Sequence, residues 1–154
     1  MFPFILRPTR MRRLLALLLL FAAPAISAGE FRSIAASGVV MYDAPSVKAN
    51  KLYVASRYYP VEIIVQVDNW TKVRDAAGDL AWVEKSGLSD LRTVVVTAPL
   101  ADVREKPDDS APLVFQAQQG VALEIVELGA GTWIKVRHRD GQTGYVRASQ
   151  VWGM

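Results

Sequence analysis

Short segments with the pattern of β-strands, separated by polar turns, recur along the chain after residue 30. Trp70–Arg74 and Trp133–Arg137 alternate apolar and polar residues, which is the period of a half-buried strand. Residues 61–67 and 121–128 are rich in β-branched side chains, and the turn dipeptide Asp140-Gly141 follows the last alternating segment. Since no useful length of chain after residue 30 has the period of a helix, the pattern predicts an all-β fold, either a small barrel or a sandwich.

The chain repeats its own pattern after 62 or 63 residues. Residues 61–64 align with residues 123–126 at an offset of 62, and one further residue shifts the alignment so that Trp70–Arg74 matches Trp133–Arg137 at an offset of 63. Later positions keep this offset, with Gly78 matching Gly141, Trp82 matching Tyr145 and Leu88 matching Val151. Five aligned blocks in order indicate a duplication. We therefore expect two domains, at residues 29–90 and 91–154.

The first 28 residues have the pattern of a secretory signal peptide. Four arginines within residues 7–13 precede an unbroken apolar run at residues 14–23, which ends at Pro24 and a few small residues. A membrane anchor is the alternative, but a spanning helix needs about 20 apolar residues and this run has roughly half that number. We expect cleavage near Ala28, a periplasmic or secreted product, and no membrane span after cleavage.

The positive charge of the chain belongs to this N-terminal segment. The chain has 18 Lys and Arg against 15 Asp and Glu, a net charge of +3. Four of the 18 basic residues lie in the first 28 positions, so 14 basic and 15 acidic side chains remain after cleavage, a net charge of −1. No cluster of basic residues remains after position 28, and a nucleic-acid partner is therefore not expected. The chain has no cysteine, which excludes disulfides and thiolate metal sites.

Few side chains are suited to catalysis or metal binding. The only histidine, His138, precedes the Asp140-Gly141 turn, as expected for a solvated histidine at a hairpin tip. Most acidic residues lie in predicted turns, where Asp is a common turn former, although a pair of carboxylates is the one remaining route to catalysis. No zinc ligand set or calcium loop is present in the sequence. We expect no catalytic residues, no metal and no cofactor, in a protein that is not an enzyme.

Each repeat resembles the bacterial SH3 (SH3b) domain. The resemblance lies in a Pro-containing loop, a Gly before an apolar strand, a Trp-x-Lys-Val-Arg segment and an Asp-Gly-x-x-Gly-Trp/Tyr-Val segment. The second repeat carries this pattern in Glu105-Lys106-Pro107, Gly120, Trp133–Arg137, Asp140-Gly141 and Gly144-Tyr145-Val146. The first repeat departs from it, with Tyr58 in place of Gly120 and Ala81 in place of Gly144. The resemblance implies two tandem small SH3-like β-barrels after a signal peptide, an arrangement similar to that of short exported proteobacterial proteins.

Aromatic side chains are the candidates for a binding site, because SH3-type recognition lays an extended peptide across aromatic rings. The first repeat is richer in aromatics, and we expect a groove there, beside the loop at residues 42–51. Tyr58 and Tyr59 are adjacent, and neighbouring strand residues point to opposite faces, so one of them should face outward or toward the other barrel. The alternative is that these rings fill cores or pack between barrels. The candidate ligand-binding residues are Tyr42, Tyr53, Tyr58, Tyr59, Trp70 and Trp133.

These observations predict an exported, non-catalytic binding module. Its ligand would be a cell-wall peptide or a segment of an envelope protein, the class that the family resemblance implies. The alternative is a structural or assembly protein whose barrels mainly pack on each other or on a partner subunit. No sequence feature indicates an oligomeric state.

Overall fold

The computed structural model describes residues 29–129 and 131–154, and the predicted signal peptide at residues 1–28 lies outside them. Within the described residues the chain forms fourteen strands and two short 3-10 helices, which confirms the all-β prediction. The strands are β1 (Glu30–Ile34), β2 (Val39–Tyr42), β3 (Lys51–Ala55), β4 (Pro60–Val67), β5 (Trp70–Arg74), β6 (Leu80–Glu84), β7 (Leu88–Ser89), β8 (Thr93–Val96), β9 (Leu100–Arg104), β10 (Leu113–Gln118), β11 (Ala122–Leu128), β12 (Trp133–Arg137), β13 (Thr143–Arg147) and β14 (Val151–Trp152). No helix in these two ranges is long and apolar enough to cross a membrane.

The fourteen strands form two antiparallel sheets of seven strands with the same topology. The first has the order β3-β2-β6-β5-β4-β1-β7, and the second has the order β10-β9-β13-β12-β11-β8-β14. Both sheets also have a bulge at the same aligned position, where Ile64 of β4 and Val126 of β11 have no partner on the next strand. The duplication in the sequence is therefore a duplication of structure, down to the irregularities of the sheet.

Each sheet curls around its own hydrophobic core. Strands along the whole of the first sheet contribute to one cluster, which contains Ile34, Met41, Ala55, Val61, Val73, Ala81 and Val83. The second sheet surrounds Val94, Val96, Ala101, Val103, Ala117, Leu123, Ile134, Val136, Val146 and Val151. Because strands at both edges of a sheet pack on the same cluster, each sheet forms a small barrel. The tandem barrels expected from the sequence are confirmed.

The two barrels pack directly against each other. The ring of Phe31 in β1 meets the ring of Trp152 in β14 edge-on, with 5.1 Å between ring centroids. The guanidinium of Arg92, between the two sheets, lies 5.6 Å from the centroid of the Phe31 ring and donates a hydrogen bond of 3.3 Å to the carbonyl of Gly153. Edge-to-face aromatic pairs and cations over aromatic rings are both stabilising. Residues near both ends of the described range 29–154 thus form the interface.

A second contact between the barrels fixes the turn that follows β3. Thr93, which is buried at the start of β8, donates a hydrogen bond from Oγ1 to the carbonyl oxygen of Tyr58 at 2.6 Å. Gly153 packs against the same region with a φ of 129°, and a Cβ there would lie 2.6 Å from the carbonyl oxygen of Thr93. Only glycine fits so close an approach with this backbone conformation. The second barrel therefore adds a hydrogen bond to the turn at Tyr58 of the first barrel.

Tyr58 and Tyr59 lie in a turn between β3 and β4, and the prediction that they are strand residues was wrong. Tyr58 has a φ of 72°, in the left-handed region, and Gly120 at the aligned position has a φ of 87°. The backbone N–H of Tyr58 donates to the Ile34 carbonyl, and that of Gly120 donates to the Val96 carbonyl, both at 2.9 Å. Replacing the family's glycine with tyrosine has therefore left the turn unchanged, although a non-glycine residue there is strained.

Candidate functional site

A groove crosses the boundary between the two barrels, and we call it the interdomain groove. It consists of a cavity of about 290 Å³ on the first barrel, a central cavity of about 260 Å³, and a cavity of about 380 Å³ on the second barrel. Tyr59 and Gly120 line both the first and the central cavity, while Val121 and His138 line both the central and the second. The shared residues make the three cavities one continuous surface.

The end of the groove on the first barrel combines two phenols with a carboxylate. The hydroxyl of Tyr53, a residue that is 41% exposed, is 3.5 Å from Oδ2 of Asp75, to which it donates. The hydroxyl oxygen of Tyr59 accepts a hydrogen bond of 3.3 Å from the backbone N–H of Ala76. Asp75 itself is held in the turn between β5 and β6, because its Oδ1 accepts the backbone N–H groups of Ala77 and Asp79 at 2.9 Å.

Both phenols at this end stay protonated well above neutral pH. Burial, together with the negative charge of Asp75, raises the pKa of Tyr53 to about 12. Burial also raises the pKa of Tyr59, although the N–H of Ala76 acts in the opposite direction. Since the Tyr59 oxygen accepts from Ala76, its own proton remains available to a ligand. This end of the groove offers the Tyr59 hydroxyl as a hydrogen-bond donor, together with ring faces.

The end of the groove on the second barrel has different chemistry at the same aligned positions. Phe115 takes the place of Tyr53, and His138 takes the place of Asp75, with 5.7 Å between the two ring centroids. Nδ1 of His138 lies 3.0 Å from Oδ1 of Asp140. Asp140 accepts hydrogen bonds from the backbone and side-chain N–H groups of Gln142. These hydrogen bonds, together with the contact to His138, lower the pKa of Asp140 to about 2. This end is an aromatic and imidazole surface.

The centre of the groove is lined by basic residues. Arg57 from the first barrel and Arg139 from the second are both exposed, and both line the central cavity. The guanidinium of Arg57 lies 4.7 Å from the ring centroid of Tyr58. Among the residues lining the central cavity there is no Asp or Glu. In the adjoining cavity, of about 180 Å³, Glu124 is 3.5 Å from Arg137.

The structure brings together three of the six residues predicted to bind a ligand and places the other three elsewhere. Tyr53, Tyr58 and Tyr59 line the interdomain groove. Tyr42 is only 7% exposed and packs edge-on against Trp70 at 5.3 Å, so most of its ring is engaged within the first barrel. Trp133 is half-buried beneath the guanidinium of Arg147, 4.7 Å from its ring centroid.

The position of the groove also differs from the expectation. None of the described residues 43–51 lines it, so the loop expected to border the site lies away from it. Most groove residues were not predicted to bind a ligand, among them Arg57, Asp75, Phe115, His138 and Arg139. The repeat alignment could have found one of them, because Phe115 aligns with the predicted residue Tyr53.

The groove is suited to binding by hydrogen bonds, ring contacts and charge. Within residues 29–129 and 131–154, no group of three or more His, Asp or Glu side chains could hold a metal ion. Concave surfaces with ring faces and a few polar groups, formed where two domains meet, are typical of ligand sites.

The sequence model of the bacterial SH3 domain family matches the chain twice, at residues 35–90 and 97–153. The described residues outside these segments are 29–34, 91–96 and 154, which are too few to form a further domain. No curated protein sequence matches the chain significantly.

Solved structures similar to this chain include two from Trichomonas vaginalis and one from Bacillus cereus. NlpC2 from Trichomonas vaginalis has 14% identity and a TM-score of 0.37, over 81% of this chain and 48% of that protein. NlpC1 from the same organism has 16% identity and a TM-score of 0.35, over 87% of this chain and 49% of that protein. An NlpC/P60 family protein from Bacillus cereus has 15% identity and a TM-score of 0.38, over 80% of this chain and 56% of that protein. The chain spans about half the length of these proteins.

Proposed function

We propose a function for this chain, which belongs to the bacterial SH3 domain family. It is an exported, non-catalytic binding protein that holds an extended peptide in the interdomain groove. The peptide would be a segment of the cell wall or of an envelope protein. The observation that carries this proposal is the continuity of the groove, in which Tyr59 and Gly120 join the first cavity to the central one and His138 joins the central cavity to the second.

The side chains of the groove suit a peptide backbone. A peptide presents carbonyl acceptors and N–H donors at intervals of about 3.3 Å per residue. The Tyr59 hydroxyl supplies a donor, the Tyr53 hydroxyl oxygen supplies an acceptor, and the ring of Phe115 supplies an apolar contact. Rigid aromatic side chains contribute large contact area at low cost in conformational entropy. The fixed packing of the two barrels keeps these groups in place before a ligand arrives.

Export is the second part of the proposal and rests on the N-terminal sequence pattern. The basic residues, short apolar run and small residues before Ala28 support cleavage by a signal peptidase. N-terminal sequencing of the protein recovered from fractionated cells tests this part. We expect a product that begins near Gly29 in the periplasmic or extracellular fraction. A protein that keeps residues 1–28 and sediments with membranes would contradict it.

Retention on purified cell wall, and crosslinking to proteins of the envelope fraction, test the binding function. Tyr53→Ala removes a partly exposed groove residue outside the buried core cluster. We expect it to weaken retention at least tenfold, about 1.4 kcal/mol, as is usual for an aromatic residue central to an interface. Tyr145→Ala is the matched control, since Tyr145 is a half-buried tyrosine that lines none of the groove cavities. Equal retention of wild type and Tyr53→Ala would contradict the proposal.

An assembly role is the second candidate, and the packing between the barrels favours it. The Phe31–Trp152 contact and the Thr93–Tyr58 hydrogen bond show that these barrels can bury surface against each other. If assembly were the main role, the protein would sediment as a defined oligomer, and Tyr53→Ala would leave both the oligomer and envelope retention unchanged.

A further inference from the structure

The central cavity of the interdomain groove carries positive charge from both barrels. Arg57 reaches it from the turn before β4, and Arg139 reaches it from the turn after β12. His138 also lines the cavity, and no Asp or Glu does. The local charge is therefore opposite in sign to the net charge of −1 carried by residues 29–154.

The nearby carboxylates are engaged elsewhere. Asp75 accepts two backbone N–H groups of its own turn, and Asp140 accepts two N–H groups of Gln142. Glu124 lies 3.5 Å from Arg137. Among the described residues, no carboxylate forms an ion pair with Arg57 or Arg139. The two guanidinium groups that line this one cavity thus have their charge available to a ligand.

A contact within the protein restricts where the guanidinium of Arg57 can go. The guanidinium of Arg57 stacks at 4.7 Å over Tyr58, and the carbonyl of Tyr58 is held by Thr93 of the other barrel. An anchored guanidinium loses less freedom on binding, and its planar N–H fork matches the two oxygens of a carboxylate.

We propose that the centre of the interdomain groove binds a carboxylate of the peptide ligand, an acidic side chain or a peptide C-terminus, between Arg57 and Arg139. This inference rests on the proposed function and adds the chemistry of the ligand. The carboxylate would occupy the central cavity, while the flanking peptide would lie toward Tyr53 on one side and Phe115 on the other.

Amide chemical-shift titration of the full chain with two small probes tests the site. N-acetylalanine carries a carboxylate, and N-acetylalaninamide replaces it with a neutral group of nearly the same shape. We expect saturable shifts at Arg57, Tyr58 and Arg139 with the acid and none with the amide. Arg57→Gln and Arg139→Gln should each weaken binding of the acid at least fivefold. Lys48→Gln, which removes an exposed charge outside the groove, should leave binding unchanged.

Three results would overturn the carboxylate site. These are equal shifts with acid and amide, unchanged binding in both arginine variants, or equally tight binding of inorganic phosphate, which would indicate a site for any anion. Cell-wall retention separates this inference from the proposed function. If Tyr53→Ala loses retention while both arginine variants keep it, the binding function stands and the carboxylate site fails. If the acid binds but neither wall nor envelope proteins retain the protein, the site stands and the binding function fails.

Discussion

The two barrels share strand order, bulges and turn hydrogen bonds, yet they present different chemistry to the groove that they form together. On the first barrel, the hydroxyl of Tyr53 meets the carboxylate of Asp75. On the second, the ring of Phe115 meets the imidazole of His138 at the aligned positions. The duplicated backbone has been kept, while side chains facing the groove have diverged. Such divergence is expected if the two ends of one groove contact different parts of one ligand.

The barrels also differ at one buried position where the cause is steric. A Cβ on Gly144 would lie 2.7 Å from Cγ1 of Val103 and 2.8 Å from the carbonyl oxygen of Arg104. The first barrel accommodates Ala81 at this position, with 2% exposure, and has Met41 in place of Val103. Methionine is unbranched and adapts to irregular space more readily than valine. In the second barrel, both the branched Val103 side chain and the Arg104 carbonyl therefore require glycine at position 144.

The largest effect on stability is expected when each barrel receives the residue that the other barrel has at the aligned positions 81 and 144. Gly144→Ala should lower the free energy of unfolding by about 1–3 kcal/mol, because the added methyl group overpacks the second barrel. Ala81→Gly is the reciprocal change, and we expect it to cost about 0.5–1 kcal/mol, mainly through the greater backbone freedom of glycine. Urea denaturation of the two variants measures both values. If Gly144→Ala were as stable as the wild type, the steric explanation of the difference would be wrong.

The next largest effect on stability is expected at Thr93, whose hydrogen bond to Tyr58 joins the two barrels. Thr93→Val keeps the shape of the side chain but removes the hydrogen bond to the Tyr58 carbonyl, and should cost about 1 kcal/mol. Thr97→Val, at an exposed threonine just after β8, should change stability little. We also expect weaker ligand retention in Thr93→Val, because the Tyr58 turn loses its support. Unchanged stability and retention would show that the barrels pack independently of this bond.

A substitution at Tyr58 distinguishes an effect on ligand binding from an effect on stability more clearly. Tyr58→Gly places the family's residue in a left-handed turn, which relieves strain of about 1–2 kcal/mol and offsets the packing lost with the ring. We expect the free energy of unfolding to change by less than about 1 kcal/mol, while ligand retention falls at least fivefold. A strongly destabilised variant would mean that the ring is structural. Normal retention would mean that the strain serves no binding role.

The smallest expected effect is the loss of stability at high pH that accompanies ionisation of Tyr53. Its pKa is raised from 10.0 to about 12, so the folded state keeps a proton that the unfolded state loses. The stability that Tyr53 contributes is therefore fully present below pH 10 and is lost as the pH rises toward 12. Denaturation across this range should show a smaller decline in Tyr53→Phe, which cannot ionise. Identical declines in both proteins would contradict the raised pKa of Tyr53, which burial and then Asp75 cause.

Most of the fold could be predicted from the sequence because its signals are local or periodic. The alternation in Trp70–Arg74 and its repeat at Trp133–Arg137 identified strands, and the offset of 62 or 63 identified two domains. The burial of Tyr42 could not be predicted in this way, because alternation does not reveal that its ring packs on Trp70.

The groove was harder to predict than the fold because it depends on contacts between distant residues. The barrels meet through Phe31 and Trp152, which lie near opposite ends of the described chain. Without that packing, His138 is only a hairpin histidine and Arg57 only an exposed cation. The left-handed turn at Tyr58 was also hidden, since tyrosine seldom adopts it.

The central claim is that one groove spans both barrels and binds one ligand. Retention on the cell-wall or envelope ligand, measured in parallel for Tyr53→Ala and His138→Ala, tests it most directly. The account predicts that each variant weakens retention at least fivefold, while Tyr145→Ala, on the same barrel as His138 but outside the groove, does not. Full retention by His138→Ala would contradict the claim and assign binding to the first barrel alone.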